Sequence, residues 1–141
     1  SYKILDNIQT KINIAGGEHI NNIQQFYSWN KKGHLNFFQP DTNLMLFNEI
    51  NLMVNKIGYE KIILHNWCNK INFLTNINFA FFLIKKVLIE KNIIPNPYDK
   101  FFNIGKQEVK NGKIDFKDTI GYGLSIKDSK KQNLEIYEKN L

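Results

Sequence analysis

Arginine is absent from this chain of 141 residues, and all nineteen basic side chains are lysine. Bidentate recognition of phosphate or guanine leans on the planar guanidinium fork, so recognition of that kind is excluded. Lysine still supplies a non-specific electrostatic grip, and the net charge of +6 leaves that grip available. Nucleic acid therefore stays open as a partner without being favoured. Cysteine is nearly absent too. Cys68 stands alone, which rules out an intrachain disulfide and any dithiol redox pair and suits a reducing, cytoplasmic location. Prolines number three, and Pro95-Asn96-Pro97 is the single cluster, a turn between two parts of one domain, 1–94 and 98–141. No long apolar run exists either. Phe79 to Ile84 is far short of the roughly 20 residues of a bilayer span and is closed by Lys85-Lys86, so no membrane segment is expected. No basic stretch followed by an apolar one opens the chain, so no signal peptide is visible, although the start at Ser1 leaves room for a trimmed segment.

What is present suits a packed domain. Apolar residues make up 43%, aromatics 13% and charged residues 23%, enough material for a core and too little charge for disorder. Asparagine and isoleucine each occur roughly twenty times, a bias away from ordinary usage that, with the lysine and phenylalanine, fits an A/T-rich genome.

Residues 42–91 read as a helix–strand–helix unit at the centre of the chain. Asp41 after Pro40 is an expected N-cap. Leu46, Phe47, Ile50, Met53, Val54 and Ile57 share one helical face, and Gly58 stands where a C′ residue belongs. Tyr59 to His65 contains Ile62-Ile63-Leu64 and predicts a strand buried on both faces. After a connection over Asn66 to Leu74, Thr75 is expected to cap a helix to about Lys91. That helix is apolar nearly all round, with a polar strip at Lys86 and Glu90, so it is buried on more than one side or covered by a partner.

Before this unit, Lys11 to Ala15 predicts a strand, Glu18 to Asn30 a helix with Ile20, Ile23 and Tyr27 on one face, and His34 to Phe38 a second strand. After it, Asn111-Gly112 signals a hairpin between Val109 and Ile114. Ile120 to Ile126 alternates large residues with Gly121, Gly123 and Ser125, and Leu134 and Ile136 mark a returning strand. The fold class expected is α/β to α+β: one compact domain, a mixed sheet with about three helices, and antiparallel hairpins in the C-terminal third.

Chemistry has four candidate locations. His65-Asn66-Trp67-Cys68 follows the central strand, at the edge where α/β sheets bind ligands. A thiolate at Cys68 activated by His65 would serve a cysteine-dependent transferase or hydrolase; the competing reading is a packed free cysteine. Asp99, Glu108, Asp115 and Lys117 form an acid-x-Lys array across the hairpin. It resembles a metal-dependent nuclease of the restriction-enzyme type, which implies carboxylates holding Mg²⁺ and a lysine positioning water; the competing reading is a solvated hairpin face. Gly16-Gly17 before a helix could receive an anion, but Glu18 opposes one and a plain turn explains the pair. Lys31-Lys32, Lys85-Lys86 and Lys130-Lys131 could line a nucleic-acid surface, or simply face solvent. The three histidines show no metal-ligand spacing, so no metal site is assigned.

With no catalytic constellation above chance, the leading expectation is a small binding or inhibitor module that acts through a protein partner or a second copy of itself. Trp67, Phe82, Lys86, Gly121 and Gly123 are its expected contact residues. No cofactor is expected, Mg²⁺ entering only with the nuclease alternative.

Overall fold

Chain segments of opposite periodicity alternate as far as Ile89, and the elements alternate with them. In this computed structural model residues 12–67, 69–83, 86–104, 108–115 and 122–127 are described. The order is β1 (Ala15–Gly16), α1 (Ile23–Lys32), β2 (Phe37–Phe38), α2 (Phe47–Ile57), β3 (Ile63–Leu64), α3 (Lys70–Leu83) and β4 (Leu88–Ile89). Strands β1 and β2 pair in parallel, as do β3 and β4. A parallel bridge between Phe38 and Ile62 joins the two pairs, and His65 N–H donates to the Pro40 carbonyl at 3.0 Å. The result is a parallel row in chain order, β1-β2-β3-β4, each step crossing through a helix.

The remaining strands are antiparallel. β5 (Phe102–Ile104) pairs with β8 (Leu124–Ile126), and β6 (Glu108–Lys110) with β7 (Lys113–Asp115). Asn111 and Gly112 both have positive φ, 50° and 70°, which is the type I′ turn that Asn-Gly favours. Three helices, small sheets of mixed type and antiparallel pairing toward the C-terminus make this a single small α+β domain, as the sequence pattern predicts.

The core lies between the parallel row and its helices. Phe26, Ile50, Met53, Ile62, Leu64 and Phe79 are fully buried. Phe26 meets Phe38 edge-on at 5.0 Å between ring centroids, and Phe47 meets Phe79 at 4.7 Å, separations at which aromatic pairs attract. Helix α2 buries Ile50, Met53 and Val54 on the face its spacing predicts.

Several boundaries differ from expectation, most for a local reason and one through long-range pairing. Helix α1 starts at Ile23 rather than Glu18. Gly17 has a φ of 96° and its carbonyl accepts from Ile20 N–H at 3.0 Å, closing a turn; the Asn22 side chain then accepts from Gln25 N–H at 2.9 Å as the N-cap. Gly16-Gly17 thus does not open a helix. Asp41 is not the N-cap of α2. Its carboxylate accepts from Asn43 N–H at 2.7 Å, an Asx-turn, and the helix begins after Leu46, whose N–H donates to Glu49 Oε2 at 3.4 Å.

Helix α3 begins at Lys70 rather than Thr75. Asn69 Oδ1 accepts from Ile71 N–H at 3.0 Å and Asn72 N–H at 3.3 Å, which satisfies two first-turn donors. Thr75 lies inside the helix and donates to the Ile71 carbonyl. Val87 to Glu90 is not helical: Leu88 and Ile89 pair with β3. Two branched residues and a leucine fit either state, and an available parallel neighbour decides it. The return strand expected at Leu134 and Ile136 lies outside the described residues.

Candidate active site

A short pattern recurs along the parallel row: an apolar pair ends each of three strands and a polar side chain follows at once. Phe37-Phe38 is followed by Gln39, Ile63-Leu64 by His65 and Asn66, and Leu88-Ile89 by Glu90. Glu18 stands two residues beyond β1, and Asp41 three beyond β2. Parallel strands in register bring these groups to one edge, the carboxyl edge, where βα folds carry their chemistry.

Glu90 is the hub. Its N–H continues the ladder to the Leu64 carbonyl at 3.0 Å, which directs its side chain across the ends of β3 and β2. Oε2 accepts from Asn66 N–H at 3.1 Å and lies 2.8 Å from His65 Nδ1. Oε1 accepts a short hydrogen bond from Gln39 Nε2. His65 Nδ1 is buried and makes no aligned hydrogen bond, so its contact with Oε2 is one of proximity. The His65 side chain is 17% exposed and that of Glu90 31%. Both are sheltered without being sealed.

A second tier of buried amides stands behind this pair. Asn66, Asn72 and Asn76 are buried, Asn76 completely. Asn76 Nδ2 donates to the His65 carbonyl at 2.8 Å and Asn72 Nδ2 to Asn66 Oδ1 at 3.3 Å. Thr42 Oγ1 donates to Asn76 Oδ1 at 2.8 Å and lies 3.3 Å from Asn72 Oδ1.

The residues singled out from sequence are dispersed. His65 belongs to the edge just described. Cys68 lies outside the described residues, as do Lys117 and Gly121. Asp99 is engaged elsewhere: it takes the Lys70 N–H at 3.1 Å on Oδ1, with Lys70 Nζ 4.0 Å from Oδ2, and so caps α3. Glu108 and Asp115 are direct partners across the β6–β7 hairpin. Trp67 is 71% exposed and its carbonyl accepts from Asn92 Nδ2. Phe82 is exposed and stacks on Phe79 at 6.0 Å. Lys86 is exposed, and Gly123 has a φ of 66° beside β8. Glu90, Gln39, Thr42 and the three buried asparagines escape the sequence reading. The recurring apolar pair followed by a polar residue is the signal that finds the first two.

Parallel strands in chain order, joined by helices and ending in acid, imidazole and amide groups, define an enzyme-type βα domain. A family model described as enolase C-terminal domain-like matches residues 1–130, and the chain belongs to that family. Comparison with curated proteins and with solved structures gives no match.

Family membership overturns the expectation of a non-catalytic binding or inhibitor module, because the domain is one of enolase-superfamily enzymes. The expectation of no cofactor is corrected with it, since that superfamily works with Mg²⁺. Among the described residues, however, no group of three or more His, Cys, Asp or Glu is placed to hold a metal ion. Glu90 has both oxygens engaged, whereas Mg²⁺ needs free oxygen ligands in octahedral array. The described residues do not by themselves fit the ion. No described helix is long and apolar enough to cross a membrane.

Proposed function

We propose that this domain carries the acid–base group of an enzyme that moves a proton at a carbon next to a carboxylate. The observation that carries the reading is His65 at the carboxyl end of β3, with Nδ1 2.8 Å from the Glu90 carboxylate. Enolase-superfamily sites use a lysine or histidine base, and a histidine held beside a carboxylate suits general acid–base catalysis. Glu90 takes the Nδ1 edge of the ring, which leaves Nε2 to exchange a proton with substrate. Gln39 and the Asn66 N–H hold Glu90 in place through its two oxygens. Glu90, after β4, is the carboxylate that stands against the ring.

The test is proton exchange in heavy water. Full-length protein with MgCl₂ is incubated with a panel of simple 2-hydroxy and 2-amino carboxylates, and deuterium at the carbon next to the carboxylate is read by NMR. Exchange on at least one acid is expected, and His65→Asn should slow it by about a hundred- to ten-thousandfold. Exchange that survives His65→Asn at the wild-type rate, or none on any acid tested, sinks the proposal.

A further inference from the structure

Asparagine is a poor residue for the middle of a helix, because its side chain competes for backbone hydrogen bonds, and burying its amide is costly unless every polar atom finds a partner. Helix α3 nevertheless buries two, Asn72 and Asn76. Their spacing of four puts both on one face, and that face meets the β3–α3 loop that carries His65. Neither amide is spent on its own helix. Asn76 donates to the His65 carbonyl at 2.8 Å, and Asn72 donates to the side chain of Asn66, the next residue, at 3.3 Å. The hydroxyl of Thr42, from the loop after β2, donates to Asn76 Oδ1 at 2.8 Å and sits 3.3 Å from Asn72 Oδ1. The Asn66 N–H, in turn, donates to Glu90 Oε2 at 3.1 Å.

We propose that Thr42, Asn72 and Asn76 are positioning residues that set the ring of His65 against Glu90. The inference rests on the reading of His65 as the acid–base group. The contacts form a connected path: the Thr42 hydroxyl on one strand-end loop orients the Asn76 amide and lies beside that of Asn72, those amides fix the carbonyl of His65 and the side chain of Asn66, and the Asn66 N–H fixes the carboxylate that faces the ring. None of the three residues touches the reacting nitrogen. The path runs from the β2 end to the β4 end through the helix behind the site, so a shift of Thr42 reaches both members of the His65–Glu90 pair. Thr42 donates to Asn76 Oδ1 and lies beside Asn72 Oδ1, which makes it the most informative residue to change.

The experiment compares Thr42→Val, close in shape but without the hydroxyl, with Thr42→Ser, which keeps it. Two readouts are taken on full-length protein: the NMR cross-peak of the His65 ring without substrate, and kcat and KM for exchange on the most active acid of the panel. Thr42→Val is expected to shift or broaden the ring signal and to lower kcat about tenfold to a hundredfold, with KM changed by about twofold or less. Thr42→Ser is expected to restore both. A Thr42→Val protein that melts earlier but keeps the wild-type ring signal and kcat overturns the proposal, since the network is then only structural. Failure of Thr42→Ser to restore the ring signal overturns it as well. If Thr42→Val does not fold, Thr42→Ala is measured the same way. Should His65→Asn leave exchange intact, the functional reading fails, while the ring signal still decides whether Thr42 positions His65.

Discussion

The segment from Gly16 to Leu83 and the segment from Pro97 to Lys127 carry similar apolar side chains and use them differently. In the first, Phe26, Ile50, Ile62, Leu64, Leu74 and Phe79 are fully buried. In the second, none of the residues whose burial is described is buried, and Tyr98, Val109, Tyr122 and Ile126 remain substantially exposed. The reason lies in layers. A parallel row with helices against it has a second surface to pack on, whereas paired antiparallel strands with nothing laid across them have none among the described residues. Order in the second segment rests mainly on the β5–β8 and β6–β7 ladders. Apolar content is therefore a poor guide to where a core forms; alternation of strand and helix is the better one.

Mutations in the two segments should separate on that basis, and a denaturant titration measures each. Phe79→Ala removes a fully buried ring that touches Phe47 and Phe82 and should cost about 3–5 kcal/mol. Gly58→Ala comes next. Gly58 has a φ of 91°, and a Cβ there would meet the Glu60 carboxylate, so a loss of about 1–3 kcal/mol is expected. Asp99→Ala, which leaves the Lys70 N–H of the first turn of α3 without its acceptor, should cost roughly 1 kcal/mol. Val109→Ala in the hairpin should change stability by under about 0.5 kcal/mol. A hairpin substitution as costly as Phe79→Ala would break the contrast. A Gly58→Ala loss well above that of Gly112→Ala, a site with a φ of 70° where a Cβ meets nothing within 4 Å, would sharpen it, because Gly58, at φ 91° and ψ 144°, lies in a region that is essentially glycine's alone.

Sequence periodicity makes the three helices and the Asn-Gly hairpin legible, and of the strand expected over Tyr59 to His65 it finds Ile63–Leu64, Tyr59–Lys61 forming a 3-10 turn instead and Ile63 being half-buried. It failed where long-range pairing decides. Val87-Leu88-Ile89 continues an apolar helical pattern, and its conversion to strand depends on β3 lying alongside. That single error placed Glu90 on the polar strip of a helix instead of at a strand end, and it hid the partner of His65. The asparagines were obscured in another way. An excess that codon bias explains on average conceals the few positions where an amide is buried and fully used. Asp99 shows the reverse: an acid that suits a metal-binding array on paper is occupied by the first turn of α3. Cys68, Lys117 and Gly121 lie outside the described residues.

That last contact also makes one proton a reporter. The amide of Lys70 is among the donors that a helix start leaves without an intrahelical partner, and here its acceptor comes from a residue twenty-nine positions later. Its hydrogen-exchange protection therefore depends on the segment after Pro97 staying docked against α3, and on little else. Local opening of that segment would appear first at this site, ahead of any change in the core. Because Asn72 and Asn76 lie on the same helix, the exchange rate of a single amide would show whether the C-terminal segment and the ground beneath His65 move together or apart.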